Sequence, residues 1–207
     1  DITAGPLNKI WDYHKATVPH KNTIKKTLEN VGFKKILIKG QKVFLPFGME
    51  LDFGGIVKEY AADRLAAIAN KNSGCVGLIN LGGDFAVIGS EEKNYKPWEI
   101  GIRGPKDPTN AIAAISLYHG GLASSGDYLR CFEHRGKRYS HLLNPLTGYP
   151  SDSWQAVSVA APSCLVAGSI ATIAMLKPLQ NSLDFLRDTG LAFITVDVDG
   201  KTHGNLN

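Results

Sequence analysis

The order of apolar and polar positions predicts short strands with helices between some of them. Apolar residues recur at helical spacing over 56–70, and a continuous apolar run at 76–81 leads into a glycine pair. Further strands are predicted at 35–39, 42–46, 50–53, 98–103, 111–118, 157–161 and 191–198. Further helices are predicted at 23–30, 163–176 and 178–190. Ser163 can cap the free N–H groups at the start of the second of these helices.

A β-hairpin is predicted at 128–143, with strands 128–133 and 137–143 on either side of a His-Arg-Gly turn. Because strands outnumber helices and several strand pairs are joined by hairpin-sized turns, the predicted class is α+β. The sheet is expected to be mostly antiparallel or mixed, with helices packed on it. No repeat, low-complexity tract or Ser/Gly linker interrupts the chain, so one domain is predicted over residues 1–207.

Composition adds little to this pattern but excludes some functions. The 207 residues are 43% hydrophobic and 20% charged, which is typical of a globular domain with a core. The net charge is +4, and Lys and Arg are scattered along the chain. A nucleic-acid surface usually has a concentrated basic stripe, so binding to DNA or RNA is not expected. The chain begins at Asp1 without a methionine, and a leader or lipid anchor that preceded it would not be visible.

Four glycine-containing or tight-turn tracts are candidates for chemistry, namely 52–55, 80–84, 124–127 and 140–145. In each, a predicted strand end is followed by glycine or a tight turn beside a polar or acidic residue. Such backbone can approach a ligand closely and present N–H groups to phosphate oxygens. The first tract leads into a helix, where Lys58 could contact a phosphate. The chain has neither a P-loop nor a Rossmann glycine signature.

His141 is the histidine with the clearest possible chemistry. It is predicted on the second strand of the hairpin, and a histidine there could serve as a general base toward a hydroxyl group. A structural histidine is the alternative interpretation. A serine hydrolase would use Ser124 or Ser125 with His141 and with Asp127 or Asp84, but the Gly-x-Ser-x-Gly elbow is absent.

Taken in order, these tracts resemble the ApbE-type FAD:protein FMN transferases, formerly called thiamine-biosynthesis lipoproteins. The resemblance covers nearly the whole chain and includes the tracts 1–7, 52–58, 80–84 and 98–102, with Trp11. Its most specific part is Ala-Ser-Ser-Gly-Asp-Tyr at 123–128, followed by Tyr-Ser-His-Leu-Leu-Asn-Pro-Leu-Thr-Gly-Tyr-Pro at 139–150. The resemblance implies the ApbE (T-fold-like) architecture, without the N-terminal segment typical of the family.

The resemblance also implies a reaction. The family splits FAD at its pyrophosphate and attaches FMN through a phosphoester to a threonine or serine of a target protein. AMP leaves, and Mg²⁺ is required. A flavin-binding or flavin-delivery protein without transfer activity, and an FAD pyrophosphatase giving FMN and AMP, are the alternatives. Family members are usually tethered in the bacterial periplasm, so a periplasmic or cell-envelope location is expected, with the cytoplasm as the alternative.

Site residues carried over from the family are expectations of the same kind. His141 matches the histidine that activates the acceptor hydroxyl. Three metal ligands are implied: the backbone oxygen of Gly55, an aspartate, and Thr172. The implied FAD contacts are Asp1, Asp52, Lys58 and Leu143.

One departure from the family concerns the metal. The family's Ala-Asp-x-x-x-Thr tract reads Ala-Gly-Ser-Ile-Ala-Thr at 167–172, so Gly168 replaces the aspartate. Loss of a carboxylate ligand should weaken Mg²⁺ binding unless phosphate oxygens, Ser169 or Asp127 compensate. Gly168→Asp is accordingly expected to tighten Mg²⁺ binding if the rest of the site is intact. Asn144, where relatives commonly have aspartate, removes a second negative charge.

Overall fold

The computed structural model describes residues 1–73, 75–89, 96–105, 109–127 and 131–206. The helices are α1 (Gly5–Ile10), α2 (Lys21–Leu28), α3 (Val57–Ser73), α4 (Cys164–Met175) and α5 (Leu179–Asp188), and a 3₁₀ turn covers Phe33–Lys35. The first strands are β1 (Leu37–Lys39), β2 (Lys42–Phe44), β3 (Gly77–Leu81), β4 (Asp84–Ile88), β5 (Trp98–Arg103) and β6 (Ala111–Leu117). The later strands are β7 (Gly121–Gly126), β8 (Cys131–His134), β9 (Lys137–Ser140), β10 (Trp154–Ala161), β11 (Ala192–Asp197) and β12 (Thr202–Gly204).

The chain forms two compact units. The first unit comprises Asp1–Phe53 and Asp127–Asp152, and the second comprises Gly54–Gly126 and Ser153–Asn207. A domain is defined by independent folding rather than by compactness alone. The single domain over 1–207 therefore stays a prediction.

The second unit is built on a sheet with the strand order β12-β11-β10-β7-β4-β3. Each neighbouring pair in this sheet is antiparallel. All residues of β10 are buried, because the strand lies between β7 and β11 and both of its faces are covered. This arrangement explains its nearly continuous apolar sequence and confirms the predicted α+β class with a mostly antiparallel sheet.

Alternation along the strands of the second unit gives the sheet two apolar faces. Ala86 and Ile88 of β4 pack against alanines of α3 and α4, including Ala62 and Ala167. Val87, which lies between them, points to the other face and packs against apolar residues of the β5–β6 hairpin. The small side chains on the first face let α3 and α4 lie close to the sheet.

The first unit has a core of aromatic and aliphatic side chains. Trp11 is its centre, with ring contacts to Phe132, Tyr139 and Tyr149. The rings of Phe132 and Tyr139 are stacked, with centroids 5.3 Å apart. These rings come from the residue that follows α1, from the β8–β9 hairpin and from the loop after it, so the aromatic core fixes segments that have little regular structure of their own.

Several elements differ from the prediction. No strand forms at 50–53, where the backbone N–H of Asp52 donates to the carbonyl of Ile2 at 2.7 Å. β4, β7 and β12 were not predicted. β7 has the sequence Gly-Leu-Ala-Ser-Ser-Gly, which contains too few large apolar residues to be recognised as a strand. β9 ends at Ser140, so His141 follows the strand instead of lying on it. Residues 128–130 of the predicted hairpin lie outside the described residues.

Candidate functional site

The first turn of α3 carries an ion pair with a buried carboxylate. Nζ of Lys58 binds Oδ2 of Asp84, which is 2% exposed. Oδ1 of Asp84 accepts a hydrogen bond from the backbone N–H of Ser124 at 3.2 Å. Partial burial opposes the charged form of Lys58, but the hydrogen bond and charge of Asp84 outweigh it and raise the pKa of Lys58. About half of the Lys58 side chain remains exposed, so an anionic ligand can still reach the ammonium group.

The glycine pair of the tract 80–84 closes the turn between β3 and β4. Gly82 and Gly83 have φ angles of 67° and 97°, in the region that favours glycine. The side-chain oxygen of Asn80 accepts a hydrogen bond from the N–H of Gly83 at 2.9 Å. The turn itself therefore accounts for this tract, independently of any ligand.

Ser124 and Ser125 lie within β7, and their hydroxyls bond to other hydroxyls. Oγ of Ser124 is 2.8 Å from Oγ of Ser158, and Oγ of Ser125 is 3.0 Å from Oγ1 of Thr172. A nucleophilic serine needs a general base at hydrogen-bond distance. These partners therefore argue against the serine hydrolase alternative. They also place Thr172, a predicted metal ligand on α4, beside β7.

A close contact joins α3 and α4 at Gly168. A Cβ atom at Gly168 would lie 2.6 Å from Cγ and 2.8 Å from Oε1 of Glu59. Glu59 is 6% exposed, and its Oε2 has no hydrogen-bond partner within the described part of the chain. The Glu59 side chain thus occupies the space that an aspartate at position 168 would need. Gly168→Asp alone therefore requires the Glu59 side chain to move, and the expected tightening of Mg²⁺ binding stays a prediction.

Glu59 was not found by sequence analysis, which named Ser169 and Asp127 as possible substitutes. Asp127 is 5% exposed and forms an ion pair with Arg138 at 3.1 Å, while the same Arg138 nitrogen donates a hydrogen bond to the Asp127 carbonyl at 3.2 Å. Burial raises the pKa of Asp127 against the opposing charge of Arg138.

The sequence did contain one signal for a residue such as Glu59. A glycine inside an apolar helix, as Gly168 is, implies that a side chain from a neighbouring element fills the space beside it.

The N-terminus of α4 is held by α3. The two carboxylate oxygens of Asp63 accept hydrogen bonds from the backbone N–H groups of Cys164 and Leu165, each at 2.9 Å. Ser163 adds the predicted cap by accepting from the N–H of Val166 at 3.2 Å. Burial, followed by the nearby carboxylates, raises the pKa of Cys164 to about 12, so its thiol stays protonated and is not a nucleophile.

Gly55 lies in the turn that leads into α3, and it is exposed. A Cβ atom added there would meet nothing within 4 Å. Its surroundings therefore leave room beside the backbone, and its role as a metal ligand stays a prediction.

Asp1 and Asp52 lie in loops of the first unit. Oδ1 of Asp1 accepts hydrogen bonds from the backbone N–H and the hydroxyl of Thr3, at 2.9 and 2.7 Å, and Oδ2 accepts from the N–H of Phe33 at 3.1 Å. Oδ2 of Asp52 accepts from the side-chain amide of Asn8. Both carboxylates are thereby fixed in place, and their predicted contacts with FAD are neither supported nor contradicted.

His141 and Leu143 lie in the segment after β9, also in the first unit. His141 is half-buried. Just before it, the carbonyl of Ser140 accepts a hydrogen bond from the hydroxyl of Tyr13 at 2.8 Å. Leu143 is 7% exposed, belongs to the aromatic core and pairs with Pro150 in an isolated bridge. Since the Leu143 side chain is used in the core, a ligand contact at this position would involve its backbone.

The loop 144–149 explains why this part of the sequence is so distinctive. The N–H of Asn144 donates to the carbonyl of Tyr149 at 2.8 Å, and the N–H of Gly148 donates to the carbonyl of Asn144 at 2.7 Å. Gly148 has a φ angle of 73°, and its carbonyl accepts a hydrogen bond from Nε1 of Trp11 at 2.9 Å. A Cβ atom at Gly148 would lie 2.4 Å from Cγ2 of Ile24, so the motif is required for packing as well as for any chemistry.

The described residues contain neither a membrane-spanning helix nor a cluster of metal-ligating side chains. No helix there combines the length and apolarity that are needed to cross a bilayer. Nor do three or more His, Cys, Asp or Glu side chains come together there in a way that could hold a metal ion.

The fold and these motifs place the chain among the flavin transferase-like α+β proteins of known structure. It is similar to the ApbE protein of Thermotoga maritima, with a TM-score of 0.89 and 31% identity over 99% of this chain and 69% of that one. It is also similar to the apo form of the flavinyl transferase ApbE of Pseudomonas stutzeri, with a TM-score of 0.84 and 26% identity over 99% of this chain and 66% of that one.

The family model described as the ApbE family matches residues 1–195, and the chain belongs to this family. Among curated proteins, it is 30% identical to an FAD:protein FMN transferase of Klebsiella pneumoniae over 97% of this chain and 60% of that protein. It is 28% identical to the corresponding protein of Treponema pallidum over 89% of this chain and 56% of that protein. The chain thus spans somewhat less than two thirds of these relatives' length.

Proposed function

We propose that this chain is an FAD:protein FMN transferase. The single observation that carries the proposal is the family match over residues 1–195, with relatives that are named for this activity. The proposed substrate is FAD, and the proposed partner is a protein that carries the threonine or serine to be modified. The half-exposed Lys58 at the start of α3 supports binding of a phosphate compound, because a helix N-terminus and an ammonium group both favour anions.

The proposed reaction forms one bond and breaks one. The hydroxyl oxygen of the acceptor attacks the phosphorus of the FMN half of FAD, and the pyrophosphate P–O bond breaks with its electron pair going to AMP. His141 accepts the hydroxyl proton. Lys58 neutralises phosphate charge, and Asp1, Asp52 and the backbone at Leu143 contribute to FAD binding.

Mg²⁺ is the proposed metal, and the residues present are compatible with it. Mg²⁺ prefers oxygen ligands and retains several water molecules. The proposed ligands are the backbone oxygen of Gly55 and the hydroxyl of Thr172, and the buried Oε2 of Glu59 has no hydrogen-bond partner within the described residues. When bound, Mg²⁺ would supply positive charge to the phosphate oxygens.

Incubation of the full chain with FAD, Mg²⁺ and a flavoprotein acceptor domain tests the proposal. Covalent fluorescent FMN on the acceptor is the expected result. Release of AMP without labelling would favour an FAD pyrophosphatase, and FAD binding without turnover would favour a flavin-delivery protein. Failure to bind FAD at micromolar concentrations would contradict any flavin function.

Replacement of His141 tests the proposed base. His141→Asn should abolish labelling, while FAD binding, measured by fluorescence quenching, stays within about twofold of the unmodified chain. His14, an exposed histidine of the first unit, provides the matched control, and His14→Asn should label normally. Equal labelling by the two variants would exclude His141 as the base.

We also propose a periplasmic or cell-envelope location, with the cytoplasm as the alternative. The support is the usual location of family members that the sequence resembles. Fractionation of cells that express the complete gene product, followed by immunoblotting, distinguishes the two.

A further inference from the structure

We infer that Glu59 is the carboxylate ligand of the proposed metal site, in the place of the aspartate that Gly168 replaces. This inference rests on the proposed function, since the metal belongs to the proposed transfer reaction. The starting observation is the contact between the two positions, where a Cβ atom at Gly168 would lie within 3.0 Å of three atoms of the Glu59 side chain. Glu59 therefore brings a carboxylate from α3 to the position where α4 has none.

The packing of α3 and α4 places this carboxylate beside the α4 position that lies one turn before Thr172. Asp63 contacts the backbone at Cys164, and Glu59, one turn earlier on α3, contacts Gly168, one turn later on α4. The helices are thus antiparallel, and steps of four residues remain on one face of each helix. Thr172, the proposed ligand on α4, lies one further turn beyond Gly168 on the same helix.

The burial of Glu59 requires an explanation that the described contacts do not provide. Glu59 is 6% exposed, and Oε2 has no hydrogen-bond partner among the described residues. An ionised carboxylate that is buried without partners costs several kcal/mol, in order of magnitude. A divalent cation offsets this cost, and one or two carboxylates with water molecules are the ligands that Mg²⁺ usually takes from a protein.

The charges around Glu59 are consistent with this role. The Lys58 ammonium is held by the buried carboxylate of Asp84, and the two oxygens of Asp63 are bound to the N-terminus of α4. Both neighbouring carboxylates therefore have their own partners. Glu59 is the carboxylate beside Gly168 with an oxygen left for a cation.

The inference is tested by titrating the full chain with Mn²⁺, both with and without FAD. Electron paramagnetic resonance measures the free Mn²⁺. Glu59→Gln keeps the size of the side chain and removes its charge, and it should raise the Kd for Mn²⁺ at least ~10-fold, since even groups that only support metal ligands cost ~10- to 100-fold. Glu99→Gln is the matched control, because Glu99 is exposed on β5 of the same unit and bonds to Ser116. Its Kd should be unchanged.

A rescue experiment uses the shared space of the two positions. Glu59→Ala removes the atoms nearest to a Cβ at Gly168 and should weaken Mn²⁺ binding. The double variant Glu59→Ala, Gly168→Asp then provides a carboxylate from α4 and should recover most of the affinity. Circular dichroism of each variant confirms that the fold is intact before titration.

The outcomes separate this inference from the proposed function. Unchanged Mn²⁺ affinity in Glu59→Gln, in a chain that still labels its acceptor, overturns the role of Glu59 and leaves the transferase proposal standing. Loss of Mn²⁺ affinity in Glu59→Gln, when the unmodified chain neither binds FAD nor labels an acceptor, supports the metal ligand and overturns the transferase. A chain that binds no Mn²⁺ with or without FAD overturns the inference outright.

Discussion

The two compact units fix their proposed site residues by different means. In the first unit Asp1, Asp52 and His141 lie outside helices and strands, and the two carboxylates are positioned by hydrogen bonds to nearby groups. In the second unit Lys58 and Thr172 lie on α3 and α4, which pack on the face of a sheet. A local hydrogen bond can be lost without unfolding a unit, whereas a change between packed layers affects all of the elements that meet there. In the second unit, the loss of stability on substitution should therefore depend on how closely a residue packs against neighbouring backbone. In the first unit, it should depend on the individual hydrogen bonds that a residue makes.

The largest effect is expected at Gly120, where the second unit has no space for a side chain. A Cβ atom at Gly120 would lie 2.3 Å from the carbonyl oxygen of Ala161, and the φ angle is 75°. Gly120→Ala should lower the free energy of unfolding by more than ~3 kcal/mol, because backbone atoms of β10 cannot move away. Gly190→Ala is the control, with a φ angle of 67° and no atom within 4 Å, and should cost only ~1 kcal/mol. Equal losses in urea unfolding would contradict the steric argument.

A tryptophan in each unit gives a more direct comparison. Trp11 is 2% exposed and donates a hydrogen bond to the buried carbonyl of Gly148, whereas Trp154 is fully buried and its Nε1 has no hydrogen-bond partner among the described residues. Trp11→Phe should cost ~1–3 kcal/mol more than Trp154→Phe, because it leaves a buried carbonyl unpaired. Thermal unfolding of both variants measures the difference. A larger loss for Trp154→Phe would show that volume, not hydrogen bonding, dominates both cores.

Substitutions in the contact between α3 and α4 should lower the free energy of unfolding by an intermediate amount. Asp63→Asn removes one of two acceptors and the negative charge at the N-terminus of α4, and should cost ~1–2 kcal/mol. Ser163→Ala removes the weaker cap at 3.2 Å and should cost less than Asp63→Asn, at most ~1 kcal/mol of unfolding free energy. Urea unfolding of the two variants gives the order. The opposite order would mean that the local cap from Ser163, and not the contact from Asp63 on α3, contributes more to the stability of α4.

The smallest effect concerns a turn of the second unit that resembles the loops of the first. Oδ2 of Asp197 lies 2.8 Å from Nε2 of His203, and Oδ1 accepts from the N–H groups of Asp199 and Lys201. The hydrogen bond with His203 is the main cause of a lowered pKa for Asp197, against the effect of burial. A lowered carboxyl pKa contributes stability above the unfolded value of ~3.9, and this stability is lost as the pH falls through the folded value. Asp197→Asn should therefore reduce the loss of thermal stability below about pH 4, and an unchanged slope would contradict the assignment.

Much of the fold followed from periodicity alone. The segment 56–70 was predicted as a helix and forms most of α3, and Ser163 caps α4 as predicted. The existence of both helices is confirmed, but the buried face predicted for α3 is wrong: Tyr60, Leu65 and Ile68 are exposed, and Ala62 and Ala66 pack in the core instead. β7 was missed because its residues are small, and they are small because α4 and β4 lie against it: a Cβ atom at Gly121 would be 2.5 Å from the backbone nitrogen of Cys164.

The proposed site was predictable only in part, and for a related reason. Motifs gave His141, Lys58 and Thr172, since each belongs to a tract with characteristic spacing. Glu59 belongs to no motif, and its significance depends on Gly168, which lies more than one hundred positions away in the chain. Two residues that share one volume become visible as a pair only when the helices that carry them are packed together.

That shared volume also restricts the order in which this sequence can change over evolutionary time. A chain that acquires aspartate at position 168 while Glu59 is present must first pass through a crowded intermediate. A chain that shortens Glu59 first passes through an intermediate with no carboxylate at that point. Either single step is unfavourable, and only the two together exchange one arrangement for the other. Lineages with a carboxylate on α3 and lineages with one on α4 should therefore remain distinct. The residue at position 59 should then predict the residue at position 168, and the reverse.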